Sequence, residues 1–494
     1  MSNSNNAKEL KFTKDVLWVG FSQIIILLFA FLTLPALSKI YGTVIYGLWA
    51  QIFVTVGLLV PILNFQLLSA TVRYIHEDRK NGVFSQSFSN MFWIIVLTVF
   101  IALIFGIIFR TNLSIILFKT NIYASYIVLA FIWAGTGALL SYLLSYWRAN
   151  GKITRLSIIN ISISTFKFMP LILLALLHYQ LWYIILTQIV VEIFFIIVLF
   201  SSVTKKIGFK LPNTANLNKY LSFSVPQIPS AALLWIMDSS DRYFITSFLG
   251  LSQTGIYSAS YGIGSLIYLF YFPISFVVFP MVTSLWGQGK FSDVKKYLEY
   301  STKIFLYLGI PGSAGLYVLS KPLLQILTTS EFAVGGGVLT FLIALSTLFL
   351  GIYQINLYII YLIEKTKFMP FIVGLSALVN IVINILLIPK IGIIGAAIST
   401  LISYAILSLI VLIWAKRNIG YNFDYIFISK TIISSFLMLL VIEFIPVNNM
   451  FTLIVAILIG TIVYVALTLV LKTFSDDFKQ YFYDMISSFN FLKK

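Results

Sequence analysis

Fourteen apolar segments run along this chain, and the lysines and arginines between them alternate sides with few exceptions. A span of the hydrocarbon core takes roughly 20 apolar residues. The pattern predicts membrane helices near 16–37, 43–72, 91–109, 122–147, 156–177, 181–204 and 220–249, then near 253–286, 304–320, 335–363, 368–389, 391–415, 426–446 and 450–471. The longer ones are expected to protrude into water or to kink at Pro61, Pro226 and Pro229.

Charge gives the orientation. Of 33 cations, five fall in segments assigned outside (Lys39, Arg110, Lys119, Lys321, Lys390) and two deep inside spans (Lys167, Arg242), which leaves 26 on the inner side, counting Lys430 at the inner end of its span. Such a bias predicts that both termini lie in the cytoplasm. It also accounts for the net charge of +17 without nucleic acid, whose binding needs a soluble basic face. With 60% hydrophobic and 10% charged residues and a mean hydropathy of +0.99, the bilayer must serve as solvent. The first apolar run has no small-residue cleavage site and is expected to remain as the first helix. The absence of cysteine excludes disulfides and thiol chemistry, and two histidines are too few for a His-rich metal site. No metal or other cofactor is therefore expected.

The sequence also repeats. Tyr41-Gly42 followed by Tyr46-Gly47-Leu48-Trp49 matches Leu249-Gly250 followed by Thr254-Gly255-Ile256-Tyr257 at an offset of 208, and Asn81-Gly82-Val83-Phe84-Ser85-Gln86 matches Gln288-Gly289-Lys290-Phe291-Ser292-Asp293 at 207. Six spans per repeat is an even number, so both copies enter the membrane from the same side, related by a pseudo-two-fold along the membrane normal. The expected fold is an all-α integral membrane protein. It has a six-helix lobe over 1–204, an inner linker over 205–219, a second six-helix lobe over 220–417, two further helices over 418–471 and an interfacial tail over 472–494. Segment 290–300 reads as a second interfacial helix. Two similar bundles suit alternating access.

Polar residues within spans are the candidate site. Ser157, Asn160, Ser164 and Lys167 form one stripe, and Ser376, Asn380 and Asn384 another. Ser141, Ser145 and Arg148 line the fourth span; Ser258, Tyr261, Ser265 and Tyr268 line the eighth. An ionised group at mid-membrane costs about 2.5–3.5 kcal/mol even on insertion-derived scales. Lys167, Glu192, Asp238, Asp241, Arg242 and Glu443 must therefore each find water or a partner. Lys167 is either a cation facing a lumen or the partner of Glu192. Asp238 and Arg242, four apart, have the spacing of an intrahelical pair, with Asp241 left to reach another helix.

The run Asp241-Arg242-Tyr243-Phe244-Ile245, with Gly255-Ile256-Tyr257-Ser258-Ala259-Ser260-Tyr261, resembles the Wzx-type polysaccharide flippases of the multidrug/oligosaccharidyl-lipid/polysaccharide exporter superfamily. So does Asn380 to Asn384 followed by Ile388-Pro389-Lys390-Ile391-Gly392-Ile393-Ile394-Gly395-Ala396-Ala397. The resemblance implies transfer of an undecaprenyl-diphosphate-linked sugar unit across a bacterial cytoplasmic membrane for capsule or O-antigen synthesis, alongside a polymerase and chain-length machinery. Such a substrate needs cations for its phosphates. Arg148 and Lys152 near the inner mouth and Lys167 deeper are placed to supply them, with Arg242, Asp241, Asn160 and Asn380 as further candidate contacts. Glu192 and Asp238 are candidate ion-coupling carboxylates. The alternatives are other members of the superfamily: a teichuronic-acid flippase, a lipid II flippase or a drug antiporter. Lipid II flippases use arginines in their first and eighth helices, where this chain has none. An integral membrane glycan polymerase would need larger outer loops than 110–121 and 321–334. No GxxxxGK[ST] loop is present, so a non-hydrolytic transporter rather than an enzyme is expected.

Overall fold

In the computed structural model, residues 2–214 and 216–474 are described. They form α1 (Ser2–Leu63), α2 (Leu67–Lys80), α3 (Phe84–Ile108), α4 (Arg110–Phe118), α5 (Ala124–Ala149), α6 (Ile153–Leu176), α7 (Leu181–Ile207), α8 (Leu217–Ser224), α9 (Ile228–Ser239) and α10 (Asp241–Leu249). There follow α11 (Leu251–Gly264), α12 (Tyr271–Gly287), α13 (Phe291–Leu327), α14 (Val338–Asn356), α15 (Tyr358–Leu362), α16 (Met369–Ile391), α17 (Ile393–Ile419), α18 (Tyr425–Glu443) and α19 (Met450–Val470). No strand occurs among the described residues. Hydrocarbon offers backbone groups no water, and a helix satisfies them within one segment.

Among the described residues, twelve helical segments are long and apolar enough to cross a membrane, the first being Trp18–Lys80. The bent pair Leu251–Ser275 and Val278–Gly287, 41° apart, makes thirteen. Gly42, at φ 70° and ψ −173°, breaks the first into two arms and so makes fourteen. Pro226 sits in a one-turn 3-10 segment, Val225–Gln227, that joins α8 to α9. Residues 290–300 are not a separate interfacial helix. They are the opening turns of the 37-residue α13, because no breaker separates them from the ninth span. The expected tail helix from Ser475 onward lies outside the described residues.

The repeat is written in the backbone as well as in the sequence. Gly250, the counterpart of Gly42, has φ 87° and ψ 173°, a conformation open to glycine alone. Gly82 and Gly289 also share positive φ, at 70° and 74°. Their turns close with the same bonds: Gly82 N–H donates to Arg79 O and Val83 N–H to Asp78 O, while Gly289 N–H donates to Trp286 O and Lys290 N–H to Leu285 O. This is the Schellman closure of a helix end.

The chain divides into two compact units, Phe12–Gly255 and Ile256 onward with the first eleven residues. In the first, α5 is the central helix, packed by α2, α3 and α7. Its Trp133, Tyr142 and Trp147 are buried. The outward face of α3 shows Phe100, Ile101, Phe105 and Ile108, a surface suited to lipid rather than water. Also in this unit, α10 is followed by the start of α11, which crosses α1 beyond Gly42 at main-chain contact. A Cβ on Gly47 would run into the Leu251 carbonyl, and one on its counterpart Gly255 into the Thr43 carbonyl. The Thr43 and Ser252 hydroxyls hydrogen-bond beside the crossing at 2.9 Å.

In the second unit α14 and α16 pack on α17, and α13 carries both α14 and α18. Tyr464 on α19 donates to the Tyr307 carbonyl of α13 at 2.8 Å. Asp424 caps α18 by accepting from Phe427 N–H at 3.0 Å and pairs with Lys303 of α13 at 2.8 Å. Burial raises the Asp424 carboxyl, but Lys303 and the Phe427 N–H outweigh it and hold the group below its ordinary 3.8. Burial pushes the neighbouring Tyr421 hydroxyl up.

Two outcomes follow from these contacts. Gly47→Ala and Gly255→Ala should each destabilise by about 1–3 kcal/mol, the usual cost of overpacking. Gly262→Ala, where the added carbon meets nothing within 4 Å, should not. Detergent-solubilised melts compare the three, and identical melting temperatures would refute the crossing. A lowered carboxyl contributes stability above its unfolded-state value and loses it as pH falls through the folded one. The stability gap between wild type and Asp424→Asn should therefore stay level between about pH 7 and 5 and close below about pH 4. The gap will be small, because the Asp424 side chain is 38% exposed.

Candidate functional site

Lys167 and Glu192 meet inside the first unit. Two turns of α6 carry the polar stripe from the half-buried Asn160 to Lys167, and α7 lies alongside with Glu192 on its buried face. The Lys167 ammonium stands 2.5 Å from Glu192 Oε1. Glu192 is almost wholly enclosed, with 4% of its side chain exposed, whereas a quarter of Lys167 remains exposed. A buried carboxylate needs its remaining lone pairs filled. Trp133 Nε1 donates to Oε1 at 3.2 Å and the Thr136 hydroxyl donates to Oε2. Both come from α5, one helical turn apart and therefore on one face. The Lys167 ammonium also lies 6.0 Å from the centre of the Trp133 ring. Gln188 on α7 donates to the Lys167 main-chain carbonyl at 3.1 Å, just before Pro170 disturbs the α6 ladder.

The second pairing is at the α9–α10 junction. An ion pair joins Arg242 to Asp241 at 3.1 Å. The Arg242 guanidinium also donates to the Asp238 main-chain carbonyl at 2.8 Å, and the Arg242 N–H to Asp241 Oδ1 at 2.8 Å. The reason is local. α9 ends at Ser239 and α10 begins at Asp241, so the four-residue spacing spans a helix junction. Asp238 itself is exposed and accepts from the Ser239 hydroxyl at 3.2 Å.

The remaining candidates sit apart from these pairings. Arg148 is exposed in the last turn of α5, and Lys152 is exposed at the N-cap of α6. Asn380, in the second unit, is fully buried between α16 and α17. It accepts from Asn384 Nδ2 at 3.0 Å, and its carbonyl accepts from the Ser399 hydroxyl at 2.7 Å. Sequence reasoning missed Trp133, Thr136 and Gln188. The spacing of Trp133 and Thr136 shows a shared helix face, but only the packing of α5 on α7 aims that face at Glu192.

The Lys167–Glu192 geometry can be tested by asking which partner the fold needs. Lys167→Met leaves an uncompensated buried carboxylate and should cost about 3 kcal/mol, the low end for a broken buried pair, since Lys167 is partly exposed. Lys167→Met/Glu192→Gln should recover most of that loss in the same detergent melts, and a double variant no more stable than the single one would contradict the pairing.

Comparison with known proteins places the fold. Residues 12–286 match the family described as polysaccharide biosynthesis protein, and residues 226–386 match the MatE family. The chain is 24% identical over 264 residues to the probable low-salt glycan biosynthesis flippase Agl15 of Haloferax volcanii, covering 53% of this chain and 56% of that protein. It is 30% identical over 176 residues to the probable flippase AglR of the same organism, covering 34% and 36%. The matches thus span about half or less of these curated relatives. The solved structure of the lipid II flippase MurJ in an inward closed conformation shares the fold, with a TM-score of 0.74 over 92% of this chain and 97% of that one, at 22% identity. With more than half of its length inside the first match, the chain belongs to the polysaccharide biosynthesis protein family, within the multidrug/oligosaccharidyl-lipid/polysaccharide exporter superfamily.

Proposed function

We propose that the chain is a flippase for a lipid-linked oligosaccharide, moving an undecaprenyl-diphosphate-linked repeat unit across a bacterial cytoplasmic membrane for capsule- or O-antigen-type synthesis. Both termini face the cytoplasm in this reading, a polymerase and chain-length machinery act downstream, and transport runs by alternating access of two six-helix lobes spanning 1–204 and 220–417. Family membership and similarity to the probable flippases Agl15 and AglR support it. The observation that carries it is Lys167, a partly exposed cation held by an enclosed carboxylate within apolar membrane helices.

That arrangement suits exchange of one anion for another. A substrate phosphate reaching Lys167 competes with Glu192 for the ammonium, since both are oxygen anions of hydrogen-bonding reach. Glu192 keeps its donors from Trp133 and Thr136 when Lys167 turns away, so the carboxylate is not stranded. Ion binding at Glu192 would then couple a gradient to the cycle. Arg148 and Lys152 meet the headgroup first, while Arg242, Asp241, Asn160 and Asn380 act in later contacts, with Asp238 as a second coupling carboxylate.

Deletion of the gene, followed by chromatography of undecaprenyl-linked intermediates, should reveal an accumulated precursor and loss of surface glycan. Unchanged surface glycan with no precursor would sink the reading. Lys167→Met/Glu192→Gln, expected to fold, should restore neither export nor glycan; full export would remove both residues from the site.

A further inference from the structure

We propose that Lys152, Arg155 and Lys206, gathered on the ring of Trp147, form a docking site for a diphosphate headgroup at the end of the first unit that the charge pattern assigns to the cytoplasm. The proposal rests on the flippase reading and deepens it, by naming where the lipid-linked substrate is first held.

Trp147 lies in the last turns of α5 and is among the largest fully buried side chains. Its ring carries Arg155 at 4.1 Å, Lys206 at 4.2 Å and Lys152 at 5.9 Å from the centroid. Lys152 and Arg155 belong to the start of α6, and Lys206 to the last turn of α7, so three helix ends converge on one indole. Cation–π attraction and positive-inside anchoring explain one or two such residues. A third cation on the same ring adds repulsion that neither explains.

Among the described residues no carboxylate lies within ion-pair distance of any of the three, and all three are exposed. Asp15 touches the start of α6, but its Oδ1 is taken by the Thr154 N–H at 3.0 Å and the Thr154 hydroxyl at 2.6 Å. The same carboxylate already caps the helix end, so the cations rather than the helix terminus carry the site. The Trp147 indole N–H is buried without any hydrogen-bond partner, an uncommon condition for a tryptophan. A fourth cation, Arg79, is fixed nearby through Asn150 of the α5–α6 turn at 2.5 Å. A diphosphate, with at least two negative charges on adjacent groups, matches three convergent cations better than the single charge of a phosphodiester does.

The full-length protein in phosphatidylcholine nanodiscs is titrated with undecaprenyl diphosphate, with inorganic pyrophosphate or phosphatidylglycerol as competitor. Wild type should bind saturably and pyrophosphate should compete. K152Q/R155Q/K206Q should weaken binding at least about ten-fold, whereas K152R/K206R, which keeps the charge, should retain it. Unchanged binding by the triple variant overturns the proposal. Competition by phosphatidylglycerol equal to that of pyrophosphate overturns it too, by making the triad a seat for any anionic lipid, and so does equal loss in the charge-conserving variant, which would attribute the effect to packing on Trp147. Binding is read here without transport. A chain that holds the diphosphate at the triad, yet whose deletion leaves surface glycan unchanged and no precursor accumulated, keeps this site and loses the flippase reading. Accumulated precursor with no binding at the triad does the reverse.

Discussion

Main-chain hydrogen bonding in a solvent without water is the constraint on which the rest of this structure depends. Every N–H and C=O within the hydrocarbon must be answered by the chain itself, so the helix is the default and each interruption needs a compensating device. The devices are visible. Gly42 and Gly250 interrupt helices in a conformation open only to glycine, and Gly82 and Gly289 close helix ends with matched bonds. The few charged side chains within the spans must then be answered in the same way.

Those side chains are solved in two ways. Glu192 is enclosed and fully served, by an ammonium from one neighbouring helix and an indole and a hydroxyl from another. Arg242 is served locally, by the neighbouring carboxylate and a carbonyl one turn back. The first solution ties α5, α6 and α7 together, and the second joins neighbouring residues at a helix junction.

Much of this was legible in the sequence, and for identifiable reasons. Span count follows from apolar length, and the repeat follows from glycines whose positive φ no other residue replaces, so Gly42 and Gly250 stayed aligned. Lys167 and Glu192 stood out because hydrocarbon penalises charge. What stayed hidden depended on which helix faces which. The donors Trp133 and Thr136 look like ordinary core residues until α5 is laid on α7. The junction between α9 and α10 brings Asp241 onto Arg242, a pairing that residue spacing alone does not show. The turns over 290–300 looked interfacial because they are charged, yet nothing in them ends a helix before the ninth span.

The crossing at Gly47 and Gly255 has a meaning beyond packing. Each glycine is the other's counterpart in the repeat, and each leaves room for a carbonyl on the other's helix. After an ancestral duplication, most positions in the two copies become free to diverge separately. These two do not, because a side chain gained by either copy is resisted by the backbone of the other. The contact therefore acts as a shared memory of the duplication, a point where the two halves of the chain must evolve as one.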